Sequence, residues 1–317
     1  MPHLFRTEVE VKKFPLKINH QEQIMMIGSC FTENIGNCLL QSGFRVDLNP
    51  FGIVYNPISI CKSIKRLLSK ELFTFQELFF QNEQWHSYEH HSSFSAVDID
   101  EALSNINKRL EDSAVVIGNA KVLLLTLGSS FVYRLIETDQ VVANCHKMPD
   151  VHFGRELLTV ENIVEEFQNL IRELHLKNPE LKIVITISPV RHLKDTAFGN
   201  QISKSTLFVA VDRLLKMKNV FYFPAYEIVM DDLRDYRFYA KDMLHPSSEA
   251  IEYIWSKFSD AFFNAETVEI CRQVKQLKAD LAHRPFNTFS EKHKLFIENI
   301  KLSRQLLVNK YPFLNLD

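Results

Sequence analysis

Two short runs near opposite ends of this chain carry residue types suited to acyl chemistry. The first is Gly28-Ser29-Cys30, placed where the apolar run Ile24-Met25-Met26-Ile27 hands over to an amphipathic segment. The second is Asp242-Met243-Leu244-His245-Pro246. A serine at a strand-to-helix junction sits at the helix's amide-rich end, where backbone N–H groups stabilise developing negative charge. An aspartate three residues before a histidine can accept its Nδ1–H and leave Nε2 free to take a hydroxyl proton. Ser29, Asp242 and His245 are therefore the parts of a Ser-His-Asp hydrolase, with the nucleophile placed very early. Each run also has a plainer reading. Ser29 could simply cap a helix, and Asp242 with His245 could be a surface pair at a helix start. Cys30 is a competing nucleophile that would need a depressed pKa.

The elements that must position these residues follow from hydrophobic period. Buried strands are expected at Gln23 to Ile27, Lys121 to Leu127 and Lys182 to Ile187, with shorter ones at Arg45 to Leu48 and Val220 to Phe223. Helices are expected at Phe31 to Gln41, Ile58 to Leu68, Asp98 to Glu111, Val160 to Leu176, Gln201 to Met217 and Ser248 to Phe262. Phe131 to Val142 reads as a hairpin turning at Thr138-Asp139. Residues 71–95 are polar and aromatic without a clean period, and read as an insertion. Continuous apolar strands separated by helices predict a three-layer α/β/α sandwich with a mostly parallel sheet. Such sheets hold ligands beyond the carboxyl ends of their strands. Ser29, Gly128 and Ser188 each follow a strand and would gather on that edge. Glu266 to Asp280 and Glu291 to Asn309 read as two further helices joined by His283-Arg284-Pro285-Phe286-Asn287. The expected organisation is a domain over 1–265 and a C-terminal helical appendage over 266–317.

Composition narrows the class. The chain has 317 residues, long enough for one decorated α/β domain. Its net charge of −2 argues against a nucleic-acid or anionic-membrane partner. The 25 phenylalanines predict an aromatic-rich core. No run approaches the ~20 apolar residues that span a bilayer, and the charged residues of Met1 to Lys17 do not make a signal peptide. Five cysteines without CxxC spacing suit free thiols in a reducing cytoplasm.

Jointly the two runs match the layout of the SGNH, or GDSL-like, hydrolases. The α/β-hydrolases are disfavoured, because no G-x-S-x-G elbow is present and the serine comes too early. The chain more closely resembles the GSCFA-domain family, reading Gly28-Ser29-Cys30-Phe31-Thr32 with threonine where the family name has alanine. The resemblance continues through Asn49-Pro50-Phe51-Gly52-Ile53-Val54-Tyr55-Asn56-Pro57, Trp85-His86-Ser87-Tyr88, Thr126-Leu127-Gly128 and Asn144-Cys145-His146-Lys147. It ends with Ser188-Pro189-Val190-Arg191-His192, Asp242 to Pro246 and His283-Arg284-Pro285-Phe286. It implies an SGNH-type, flavodoxin-like fold, with Ser29 as nucleophile, His245 as base and Asp242 as its orienter. It also implies an oxyanion hole built from the Ser29 N–H and the Gly52 N–H, with Ser130 standing where the superfamily has asparagine. Losing one such donor costs about 2.7–4 kcal/mol of transition-state stabilisation, so Asn144 or His146 is a candidate replacement.

The remaining clusters are less specific. His86, His90 and His91 lack metal-ligand helix spacing, so neither a metal nor a cofactor is expected. Arg191 follows a buried strand and would either recognise an anionic or sugar group or form a structural ion pair. The resulting expectation is a cytoplasmic acyl esterase acting on a small-molecule or carbohydrate ester. A sugar O-acyltransferase with the same triad and a non-catalytic scaffold on the same fold are the alternatives.

Overall fold

The computed structural model describes residues 6–283, 290–314 and 316. In chain order the first half comprises β1 (Gln23–Gly28), α1 (Cys30–Gln41), β2 (Arg45–Leu48), α2 (Pro57–Ser69), β3 (Leu78–Gln81), β4 (Gln84–Ser87) and α3 (Ile99–Asn119). It continues with β5 (Val122–Leu127), β6 (Phe131–Leu135), β7 (Val141–Val142), β8 (Phe153–Leu157), α4 (Val160–Lys177), β9 (Lys182–Ile187) and α5 (Thr196–Leu214). β10 (Val220–Tyr222), α6 (Ala225–Glu227), α7 (Ser248–Phe262), α8 (Ala265–Ala282) and α9 (Glu291–Lys310) complete it.

Five strands form a parallel sheet in the order β10-β9-β5-β1-β2. Every residue of β5 is buried, as a strand covered on both faces must be. Side chains alternate across β1 and divide the core. Met25 and Ile27 join the layer under α2, α3, α4 and α5, while Ile24 and Met26 pack beneath α1 and α7. The second layer is the aromatic one, with Phe258 4.7 Å from Phe262 and 5.3 Å from Phe223, ring centroid to centroid. The architecture is thus the three-layer α/β/α sandwich expected from the alternation of strands and helices.

Local chemistry sets the helix starts. Asn56 caps α2 and Pro57 opens it, Asp98 caps α3, and Thr159 with Asn162 forms a reciprocal cap on α4. The third core strand to enter the sheet, β5, lies on the opposite side of β1 from β2. Strand order therefore reverses between β1 and β5, the place where open α/β sheets form a crevice.

Several segments differ from the sequence expectation, and α3 runs to Asn119, eight residues past the expected end at Glu111. Residues 71–95 contain an antiparallel β3–β4 hairpin tied back by a Trp85–Ala96 bridge. The Phe131 to Val142 hairpin gains a third strand, β8, paired along β6. Helix α5 begins five residues earlier than its apolar period implies. The C-terminal helices α8 and α9 close a small core of their own around Ile270, Val274, Leu277, Ile300 and Leu307. Lys278 Nζ donates to Leu40 O at the end of α1 (3.2 Å), joining the two parts. The Arg284 to Asn287 stretch of the expected linker lies outside the described residues. No helix among the described residues is long and apolar enough to cross a membrane.

Candidate active site

Ser29 leaves β1 at the switch point and caps α1, with its Oγ accepting the Phe31 N–H (3.3 Å). The turn is tight because Gly28 has no side chain. A Cβ there would meet Thr126 O at 2.5 Å and Thr32 Oγ1 at 2.6 Å. A Cβ on Gly128, which follows β5, would lie 3.4 Å from Ser29 Cβ, so the ends of β1 and β5 do meet. Ser29 itself is only 3% exposed.

Asp242 and His245 arrive from the loop before α7. A Tyr239–Pro246 bridge and the Ala240 N–H bond to His245 O (2.7 Å) close that loop. Asp242 Oδ1 accepts the Leu244 and His245 N–H groups at 2.9 and 3.0 Å, and its Oδ2 accepts His245 Nδ1–H at 2.6 Å. Those bonds, the backbone ones foremost, hold its carboxyl down at about 2. With Asp242 ionised and Nδ1 carrying the shared proton, His245 Nε2 is the ring's acceptor.

Nε2 meets Cys30 rather than Ser29. Cys30 Sγ lies 3.2 Å from His245 Nε2 across 215 positions of sequence, while Ser29 Oγ remains in its cap. Burial raises the Cys30 thiol, and the Phe31 and Cys30 backbone N–H groups act in the opposite direction. The contact therefore brings a thiol held in its neutral form to His245 Nε2, at a helix end that favours negative charge.

The expected oxyanion donors are placed differently from the sequence reading. Ser29 N–H donates to Thr126 O (3.3 Å) and Gly52 N–H to Asn49 O (2.7 Å). His91 covers Gly52 on the side where a Cβ would point. Ser130 does not face the site. Its Oγ donates to Ser203 O (3.0 Å) and its N–H to Ser203 Oγ (2.8 Å), so α5 holds it fully buried. Arg191 turns away to donate to Met230 Sδ (3.1 Å). Asn144 and His146 line a cleft of about 410 Å³ with Tyr55, Tyr133 and Lys194. The Tyr55 carbonyl accepts the Gly128 N–H (2.8 Å), which places this cleft beside the strand ends. His146 Nε2–H donates to Ser87 O (2.8 Å), and burial above all pulls its pKa down to about 4. His86 reaches Ser95 Oγ (2.5 Å) and Gln81 O (2.9 Å), and His90 Nδ1 reaches Ser87 Oγ (3.0 Å), so both tie the hairpin together.

Two residues to which the sequence reading gave no role sit at the same edge. His192 packs on the Tyr55 ring at 5.4 Å, and burial first, then the Lys204 charge, lowers it to about 4. Lys204 is 0% exposed and donates to Gly128 O (2.6 Å) and Ser188 O (2.7 Å). Asn200, Ser203, Lys204, Leu207, Val211 and Leu214 share the buried face of α5, but Phe198, Ile202 and Val209 are exposed on the same helix, so its apolar pattern does not mark Lys204 as inward.

A parallel α/β sandwich with an Asp–His pair delivered to the first helix's N-terminus defines the class. Within it, the chain belongs to the GSCFA family, whose pattern it matches over residues 23–258. Residues 274–317 match the C-terminal domain of GSCFA domain proteins. No curated protein matches the sequence. Among solved structures the chain is similar to a carbohydrate esterase family 3 protein from Talaromyces cellulolyticus, at 11% identity and TM-score 0.37, over 78% of this chain and 97% of that one. A putative platelet activating factor from Streptococcus pneumonia is 12% identical at TM-score 0.38, over 75% and 83% respectively. An acetyl xylan esterase from Butyrivibrio proteoclasticus is 10% identical at TM-score 0.38, over 80% and 64%.

Proposed function

We propose that this protein is an acyl-ester hydrolase using Ser29, His245 and Asp242, with an O-acylated carbohydrate as the substrate class. The observation that carries the reading is the Asp242–His245 pair held against the N-terminus of α1, at the sheet's switch point. The substrate class rests on analogy with the SGNH hydrolases that the sequence resembles. Ser29 Oγ leaves its cap by a side-chain rotation and attacks the ester carbonyl as His245 Nε2 takes its proton. Asp242 holds the resulting imidazolium. The oxyanion lies at the amide end of α1, and its collapse expels the alkoxide, which takes the proton back from His245. Water, deprotonated by the same nitrogen, adds to the acyl carbonyl, the bond to Ser29 Oγ breaks with Oγ taking that proton back from His245, and the acyl group leaves as a carboxylic acid that ionises in water. A sugar hydroxyl in place of that water gives the transferase variant.

The Cys30–His245 contact favours a second reading in which the thiol is the nucleophile. Its buried, upward-shifted pKa works against that role, because the thiolate is the reactive species. Labelling with a fluorophosphonate probe separates the readings. Wild type and Cys30→Ala are expected to be captured and Ser29→Ala to be silent, with Asp242→Asn slowed about 10³–10⁴-fold. Capture lost in Cys30→Ala and kept in Ser29→Ala moves the chemistry to sulfur. A folded wild type that is never captured overturns the hydrolase altogether and leaves a binding protein.

A further inference from the structure

Among the described residues, Lys204 is an ammonium group buried without a carboxylate to neutralise it. Its two hydrogen-bond partners, Gly128 O and Ser188 O, are the first carbonyls past the ends of β5 and β9. The residue before it, Ser203, holds Ser129 and Ser130 through four further contacts of 2.8 to 3.1 Å. One turn of α5 thus pins both strand-end turns beside Ser29. The titratable groups whose charge acts on the ammonium are Cys30 from α1 and Arg191 and His192 from the segment after β9, and the Tyr226 ring of α6 lies 5.9 Å from Nζ. None of them supplies a fixed negative charge. A buried cation held only by carbonyl dipoles is costly unless negative charge develops nearby.

We propose that Lys204 is a positioning residue whose positive charge stabilises an anion formed at the N-terminus of α1, acting through space and through the Gly128 and Ser188 turns without touching substrate. Gly128 borders Ser29, so the same contact that fixes the turn brings the charge to the reacting edge. Burial pulls the ammonium down to about 7, and the facing Cys30 thiol opposes that shift, so the two sites are coupled. The charge serves the hydrolysis proposed above if that reading holds, but the coupling is measurable without any turnover.

The pH profile of Cys30 alkylation by iodoacetamide reads the coupling directly. Below pH 7, where the ammonium is populated, Cys30 in Lys204→Met is expected to react at least about threefold more slowly than in wild type, with the gap closing as pH rises past 7, while Lys204→Arg stays close to wild type below pH 7. Should the methionine variant fail to fold, the wild type supplies the reciprocal measurement. Lysine carbon NMR then compares protein carboxymethylated with iodoacetate, which puts a carboxylate at Cys30, with protein carbamidomethylated by iodoacetamide, which does not. Cys30→Ala protein treated alike removes the contribution of the other thiols. Lys204 is expected to titrate at least half a unit higher in the carboxymethylated protein. A folded Lys204→Met with an unchanged Cys30 profile, or equal Lys204 titrations in the two labelled forms, overturns the proposal and leaves a purely structural lysine. Loss of fluorophosphonate capture in all variants, with the coupling intact, would instead fault the hydrolase.

Discussion

Gly28 shows how little room the turn before Ser29 has. Any Cβ there would press on the Thr126 carbonyl, which is sheet backbone and cannot step aside. Gly28→Ala is therefore expected to cost about 1–3 kcal/mol of stability and to displace Ser29 from its cap. An unchanged urea midpoint would show that the sheet yields there. At this scale the candidate residues could be named because a Gly-Ser turn and an Asp-x-x-His-Pro run occur together at opposite ends of one sheet domain. Ser29, Asp242 and His245 were named from type and spacing alone. Their hydrogen-bond partners were not, because a partner depends on side-chain rotamers and on neighbours far along the chain. The Cys30 contact, the burial of Ser130 against Ser203 and the turn of Arg191 toward Met230 are all of this kind.

Next to the β3–β4 hairpin, buried His90 makes stability depend on pH. His90 is 2% exposed and lies between Phe51, at 4.7 Å, and Phe73, at 4.8 Å, and burial drops it to about 3. The folded pKa lies below the unfolded value near 6.5. Its contribution is thus full above pH 6.5 and is lost as pH falls toward 3, since the unfolded chain binds a proton the native state refuses. Each such histidine contributes a slope of about 1.4 kcal/mol per pH unit inside that window, and His146 and His192 act in the same direction. Urea unfolding between pH 6.5 and 4 is expected to show falling stability, with a shallower slope in His90→Gln. Equal slopes would place the proton uptake elsewhere. The hairpin was not legible as structure because its order comes from cross-strand partners and aromatic stacking, which leave no long period. β8 was missed for the same reason, since only β6 makes it a strand. Helices α1, α4 and α7 were legible because caps and apolar stripes are local signals.

Over the whole molecule, the sheet order brings Ser29 and Gly128 together at one crevice, and the C-terminal pair closes a core of its own while α8 packs against α1. Removing residues 290–317 would uncover Ile270, Val274 and Leu277 on α8. Hydrogen exchange is expected to accelerate along α8 while β1, β5 and β9 keep their protection. Loss of protection across the sheet would mean that the two cores fold as one unit.

The chain by itself determined the alternation of strands and helices and the parallel sheet with both faces covered, and it singled out Ser29, Asp242 and His245 as candidates for acyl transfer. These follow from period, capping and side-chain chemistry, which are written locally. Only the tertiary structure decided which nitrogen meets which nucleophile, which backbone donors are already occupied, and that a lysine lies beneath the strand ends. Those outcomes turn on contacts between segments up to 215 positions apart. Each is set by packing at close range, where a rotamer or a single carbonyl outweighs any pattern along the sequence.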